Sequence, residues 1–190
     1  MQHKCKVTVL DKKVYPELQS RYCADPGSGV CPCYNAGDEY VFERYGSRDD
    51  FWHMGAGTLV KGGSPGCAGS EGIPHCSEAW DAISRYIYTA MQGGAIMRGW
   101  MADERVMITC CSDGTRPVIF KLERLDYKAV YLSGGDDSAA VRAALGGVEG
   151  VTGVSWREEG FYEVYVYPDA SDADIRAAAA ALGYETERID

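Results

Sequence analysis

The residues with the clearest chemical potential are eight cysteines, Cys5, Cys23, Cys31, Cys33, Cys67, Cys76, Cys110 and Cys111, all before residue 112. In a reducing compartment, clustered cysteines more often serve metal or redox chemistry than disulfides. Cys31-Pro-Cys33 is a C-x-C pair. In an extended loop, residues two apart point the same way, so both sulfurs can reach one ion. Cys76 sits just before a helical pattern, where unsatisfied amides and the helix dipole favour an anion, and His75 precedes it. Cys110-Cys111 falls on a strand pattern, where neighbours point to opposite faces; Cys110 is expected in the core and Cys111 on the other side. His53, in Phe51-Trp-His-Met, is a further donor. The candidate metal ligands are therefore Cys31, Cys33, Cys76, Cys111, His53 and His75, and the candidate groups are zinc or an iron-sulfur cluster. No pair has the C-x-x-C spacing of a zinc finger. Against these readings stands a plain one: free cysteine is among the most buried residue types, and each of these thiols can simply pack in a core.

These side chains must be positioned by an α+β fold. Residues 4–10 alternate, with Cys5, Val7 and Val9 sharing one face, which reads as a strand with Cys5 in the core. Pro16 opens a short helix ending near Cys23, and Asp25-Pro-Gly-Ser-Gly is a turn cluster. Residues 39–44 read as a strand. Residues 55–75 hold seven glycines, Pro65, Pro74 and Cys67, a long loop without a periodic pattern. Ser77 suits an N-cap, and Trp80, Ile83, Ile87, Ala90 and Met91 recur at helical spacing until Gly93-Gly94. Residues 105–111 and 117–124 read as a hairpin joined across Ser112-Asp-Gly-Thr, with Val118, Phe120 and Leu122 facing the core opposite Val106, Ile108 and Cys110.

A domain boundary is expected near residue 126. Residues 1–126 form a mixed α+β domain with antiparallel strands and one long helix, and residues 127–190 read as βαββαβ, a two-layer ferredoxin-like sandwich. The second part has strands over 128–132, 154–157, 162–167 and 184–189, and helices over 138–145 and 172–182. Its landmarks are Gly134-Gly-Asp-Asp-Ser-Ala-Ala-Val141, Gly150-Val-Thr-Gly-Val154, Val164-Tyr-Val166 and Leu182-Gly-Tyr184. In these the region resembles the heavy-metal-associated family. That resemblance implies the small sheet domain, but the family's two metal-binding thiolates are replaced here by Asp137 and Ala140. Soft-metal transfer therefore does not carry over, and what the resemblance leaves is a docking surface or a structural appendage.

The first region is similar to a family of short uncharacterised proteins from anaerobic prokaryotes. The carrying residues are Tyr22-Cys23-Ala-Asp-Pro26, Cys31-Pro32, Gly37-Asp-Glu-Tyr-Val-Phe42, Cys76-Ser-Glu-Ala-Trp80-Asp81 and Cys110-Cys-Ser-Asp-Gly-Thr-Arg-Pro-Val118. The resemblance implies no activity. The Gly-rich stretch before Cys76 and the C-terminal region depart from it.

Charge is uneven. Residues 1–126 carry 14 basic and 16 acidic side chains, and residues 127–190 carry 5 and 12. The acidic C-terminal part repels phosphate backbones, which disfavours nucleic acid. No apolar run reaches bilayer-spanning length and no secretory signal pattern opens the chain, so a cytoplasmic protein is expected. Three functions stay open on the sequence: a metal- or cluster-binding accessory protein, an interaction module docking a basic protein through its acidic sheet domain, and a thiol-dependent redox enzyme.

Overall fold

The computed structural model describes residues 1–43, 76–134, 138–168 and 170–190. His53, Cys67, His75, Asp137 and the Gly-rich stretch 55–75 lie outside them. The described residues form a mixed α+β protein with four helices and seven strands in antiparallel pairings. They divide into two compact units, Lys4–Arg124 and Leu125–Asp190 with Met1–His3. No helix among the described residues is long and apolar enough to cross a membrane.

In the Lys4–Arg124 unit, strand β1 (Gln2–Lys12) lies between β2 (Glu39–Glu43) and β4 (Val118–Leu132), and β3 (Val106–Cys110) also pairs with β4. The two-residue period of a strand places Cys5, Val7 and Val9 of β1 inside, with Tyr40 and Phe42 of β2 and Val118, Phe120 and Leu122 of β4. Helix α2 (Ser77–Met91) lays its 3.6-period stripe, Ala79, Ile83, Ile87 and Ala90, into the same core. Ser77 is the first helical residue and Cys76 holds the cap position, one place earlier than the capping preference of serine suggests. Arg124, buried on β4, donates to the carbonyls of Gly93 and Gly94 at 2.8 and 2.7 Å, closing the far end of α2. The opposite face of β1 is not simply solvated: Lys4 is buried and pairs with Glu43 at 2.6 Å.

The Leu125–Asp190 unit runs from the second half of β4 through α3 (Ala139–Gly146), β5 (Val151–Glu158), β6 (Phe161–Val166) and α4 (Asp172–Ala180) to β7 (Thr186–Ile189). Its strand order is β7-β4-β6-β5, all antiparallel. Ser138 and Ser171 cap the two helices, their hydroxyls accepting from Val141 and Asp174 amides at 3.2 and 3.3 Å. Val141, Leu145, Ile175 and Ala179 from the helices meet Val130, Leu132, Tyr162, Val164 and Val166 from the sheet. The β5–β6 turn needs Gly160, at φ +73°, where a Cβ would lie 2.5 Å from the Leu132 carbonyl oxygen.

Two expectations are corrected. β4 is one unbroken fifteen-residue strand, where the sequence pattern suggested a hairpin arm ending at Leu125-Asp126 and a separate strand after it. The polar residues that looked like a break are buried and satisfied: Asp126 takes a 2.7 Å hydrogen bond with His3. The second correction concerns β3. Thr109 pairs with Phe120 and Met107 with Leu122, so Met107, Thr109 and Cys111 share the side of the β4 core residues. Cys110 is exposed and Cys111 buried, the reverse of the expected orientation. A one-residue shift of phase exchanges the faces of a strand.

Candidate thiol pocket

Four of the six candidate ligands line one small cavity of about 120 Å³ in the Lys4–Arg124 unit: Cys31, Cys33, Cys76 and Cys111. Three separate elements bring them there. The C-x-C segment follows a loop held by the buried Gln19 of helix α1 (Pro16–Tyr22), whose side chain donates to the Gly29 carbonyl at 2.9 Å and accepts from the Gly29 amide at 3.1 Å. Lys12 donates to the Cys31 carbonyl at 3.0 Å. Beyond Cys33, the buried ring of Tyr34 packs edge-on to Phe120 at 5.4 Å and Tyr40 at 6.2 Å, which anchors the segment to the sheet.

Cys76 enters from the start of α2, and Cys111 from the end of β3. The two are fastened to each other by a clamp between their neighbours. The Ser112 amide and hydroxyl donate to the Glu78 carbonyl at 3.3 and 3.2 Å, and the Ser112 hydroxyl also donates to the Glu78 carboxylate. Cys111 is locked further: its amide donates to the Val118 carbonyl at 3.1 Å, and its sulfur accepts from the Val118 amide at 3.3 Å.

The rest of the lining includes Glu78, Asp113 and Arg116, which the sequence did not single out. Asp113 accepts from the Thr115 amide and hydroxyl at 2.9 and 2.8 Å and from Arg116 Nε at 3.0 Å. Burial alone would raise the Asp113 carboxyl, but these donors outweigh it and hold it below its ordinary value. The bonded Asp113 carboxylate in turn holds Arg116 protonated, with Cys31 and Cys33 acting in the same sense. A carboxylate two residues after a buried cysteine, in a hairpin connection, is the one local hint of this pair.

Burial is the main force on the Cys31 thiol and pushes it up. The Cys33 amide, donating to the Cys31 sulfur, opposes it, while the neighbouring Cys33 and Cys76 sulfurs add to the rise. Cys31 and Cys33 are also hydrogen-bonded through their side chains. Burial likewise raises the Tyr34 phenol. Seven described cysteines are free thiols.

The remaining described cysteines lie elsewhere. Cys5 is wholly buried in the core, and burial pushes its thiol up to about 12. Cys23 is partly exposed after α1 and Cys110 is exposed. The pocket sulfurs share a wall without meeting at a point: among the described residues, no three His, Cys, Asp or Glu donors are gathered in a geometry that could hold a metal ion. His53 and His75 lie outside the described residues.

No protein-family model, curated protein or solved structure matches this chain.

Proposed function

We propose that the protein is an accessory factor that binds a soft metal ion or a metal-sulfur cluster through Cys31, Cys33, Cys76 and Cys111. The carrying observation is that cysteines from three segments, 31–33, 76 and 111, line one cavity while Cys23 and Cys110 stay outside it. A donor set made only of sulfur selects zinc, monovalent copper or iron-sulfur groups over hard cations. The N–H···S bonds to Cys31 and Cys111 suit a thiolate ligand, because an amide proton offsets part of the sulfur's charge. Binding must draw the side chains inward from the wall they now line. His53 and His75 are further donors by residue type.

The test is elemental analysis of protein purified without oxygen, followed by titration with Cd²⁺ monitored through the thiolate charge-transfer absorption. One tightly held equivalent, abolished by Cys31→Ser or Cys76→Ser, supports the reading. All thiols free and no bound metal at stoichiometric Cd²⁺ would overturn it.

A second reading is favoured by the hydrogen-bonded Cys31 and Cys33 side chains. These two thiols would reduce a disulfide in a partner protein by exchange: the Cys31–Cys33 S–S bond forms, the partner's S–S bond breaks, and its two sulfurs leave as thiols carrying the two protons. A reversible two-electron couple that survives Cys76→Ala but not Cys33→Ala would select it.

For the Leu125–Asp190 unit we propose a ferredoxin-like sandwich of the heavy-metal-associated type that has kept the scaffold and lost the thiolates. Its βαββαβ order and its strand order β7-β4-β6-β5 support this. With 12 acidic and 5 basic side chains over residues 127–190, it would dock a basic protein rather than nucleic acid. The free thiols fit a cytoplasmic setting.

A further inference from the structure

We propose that the Leu125–Asp190 unit receives an arginine side chain of a basic partner protein between the outer face of the Phe161 ring and the Glu158 carboxylate. The inference rests on the reading that this unit docks a basic protein, and it names the place and the residue type.

One row of side chains crosses the sheet on the face turned away from α3 and α4. Val130, Tyr162 and Ile189 pack into the core beneath the helices, so the alternate positions Tyr131, Phe161 and Arg188 point the other way. Register sets their order: Arg188 on β7 pairs with Tyr131 on β4, Tyr131 with Phe161 on β6, and Phe161 with Glu158 on β5. The two rings stack, with 4.8 Å between centroids and 9° between planes. On the outer side of Tyr131 the Arg188 guanidinium lies 4.2 Å from the ring centroid, and its Nε is paired with Asp190 at 2.7 Å. A cation backed by a carboxylate closes that end of the stack.

The other end has the carboxylate without the cation. Among the described residues, Phe161 has no second ring or cation partner, and Glu158 has no hydrogen-bond or ion-pair partner. Glu158 and the neighbouring Glu159 are exposed, and Phe161 is half-buried. The adjacent base, Arg157, is bonded instead to Glu163 at 3.2 Å. An aromatic face carries negative electrostatic potential, so a cation complements it and a carboxylate does not. A guanidinium suits both neighbours, since it stacks flat on a ring and offers a fork of N–H donors to a carboxylate. An ammonium, a compact hydrated charge, does only the second well. An incoming arginine would thus repeat on Phe161 and Glu158 what Arg188 does on Tyr131 and Asp190. The surrounding charge agrees: residues 127–190 carry 12 acidic and 5 basic side chains. That balance attracts a basic protein and repels a nucleic-acid strand whose bases could also stack on Phe161.

The experiment uses the full chain, with labelled octa-arginine, octa-lysine and octathymidylate as probes in fluorescence anisotropy at low salt. Circular dichroism verifies each variant's fold. Octa-arginine is expected to bind about fivefold more tightly than octa-lysine. Phe161→Leu should erase that preference while leaving octa-lysine binding within about twofold. Glu158→Gln should weaken octa-arginine about fivefold, and Glu149→Gln, at the opposite end of β5, less than about twofold. Arginine and lysine peptides that bind alike, with Glu158→Gln and Glu149→Gln equivalent, overturn the proposed site and leave the docking of a basic protein by general charge standing. Failure of both peptides overturns the site and the reading beneath it. Octathymidylate that binds more tightly than octa-arginine overturns the proposal in favour of nucleic acid.

Discussion

The two compact units are built from the same materials and differ in what they leave inside. Both pack helices on an antiparallel sheet, and both share the long strand β4. The Leu125–Asp190 unit fills its core with Val, Leu, Ile, Ala and Tyr and contains no cysteine. The Lys4–Arg124 unit closes its core with Cys5, and at one margin replaces aliphatic side chains by Cys31, Cys33, Cys76 and Cys111 around a cavity. Cysteine content alone would not separate a structural thiol from a functional one. Position does distinguish them: Cys5 has no access to solvent, whereas Cys31, Cys33, Cys76 and Cys111 line one cavity.

Breaking either unit separately is the strongest way to test that contrast. Phe120→Ala removes a ring that is 1% exposed and supports Tyr34 under the pocket. It should cost about 3–5 kcal/mol in chemical denaturation and abolish metal binding with the fold. Gly160→Ala places a Cβ against the Leu132 carbonyl oxygen at positive φ. It should cost about 2–4 kcal/mol, registered in the Leu125–Asp190 unit by hydrogen exchange, with the Cd²⁺ affinity of the pocket unchanged. Loss of Cd²⁺ binding in this variant would mean that the two units do not behave separately.

Ser138→Ala removes the hydroxyl that caps α3 and should cost about 1 kcal/mol, again without effect on the thiols. The smallest effect is a pH dependence. Cys5 has a folded value near 12 against an ordinary thiol value of 9.0. The native state therefore keeps its proton longer than the unfolded chain. Stability from this group is fully present below pH 9 and declines as the pH rises toward 12. Cys5→Ala should flatten that alkaline decline in urea-denaturation curves, and an unchanged slope would show that Cys5 is not its source.

Much of this architecture was legible from local pattern, and the misreadings have a common cause. The βαββαβ order was readable because each element carries its own signal, such as Gly183 after α4 or the helical recurrence of Val141, Leu145 and Val148. The alternation of Cys5, Val7 and Val9 likewise declared the inner face of β1. The continuity of β4 was not readable, because Arg124 and Asp126 look like solvent-facing residues. Their partners, Gly93, Gly94 and His3, lie 30 or more residues away. The phase of β3 failed in a related way. Val106 and Ile108 look like the buried pair, but the register with β4 turns Met107 and Cys111 inward. The pocket's charged lining, Glu78, Asp113 and Arg116, could not be ordered from sequence, since it depends on α2 and the β3–β4 connection meeting in space.

The central claim is that Cys31, Cys33, Cys76 and Cys111 behave as one chemical site. It is tested most directly by site-resolved alkylation of the reduced protein with and without one equivalent of Cd²⁺. The account predicts that the four are protected together, while Cys23 and Cys110 react at unchanged rates. Four thiols that alkylate independently, each indifferent to the ion, would contradict it.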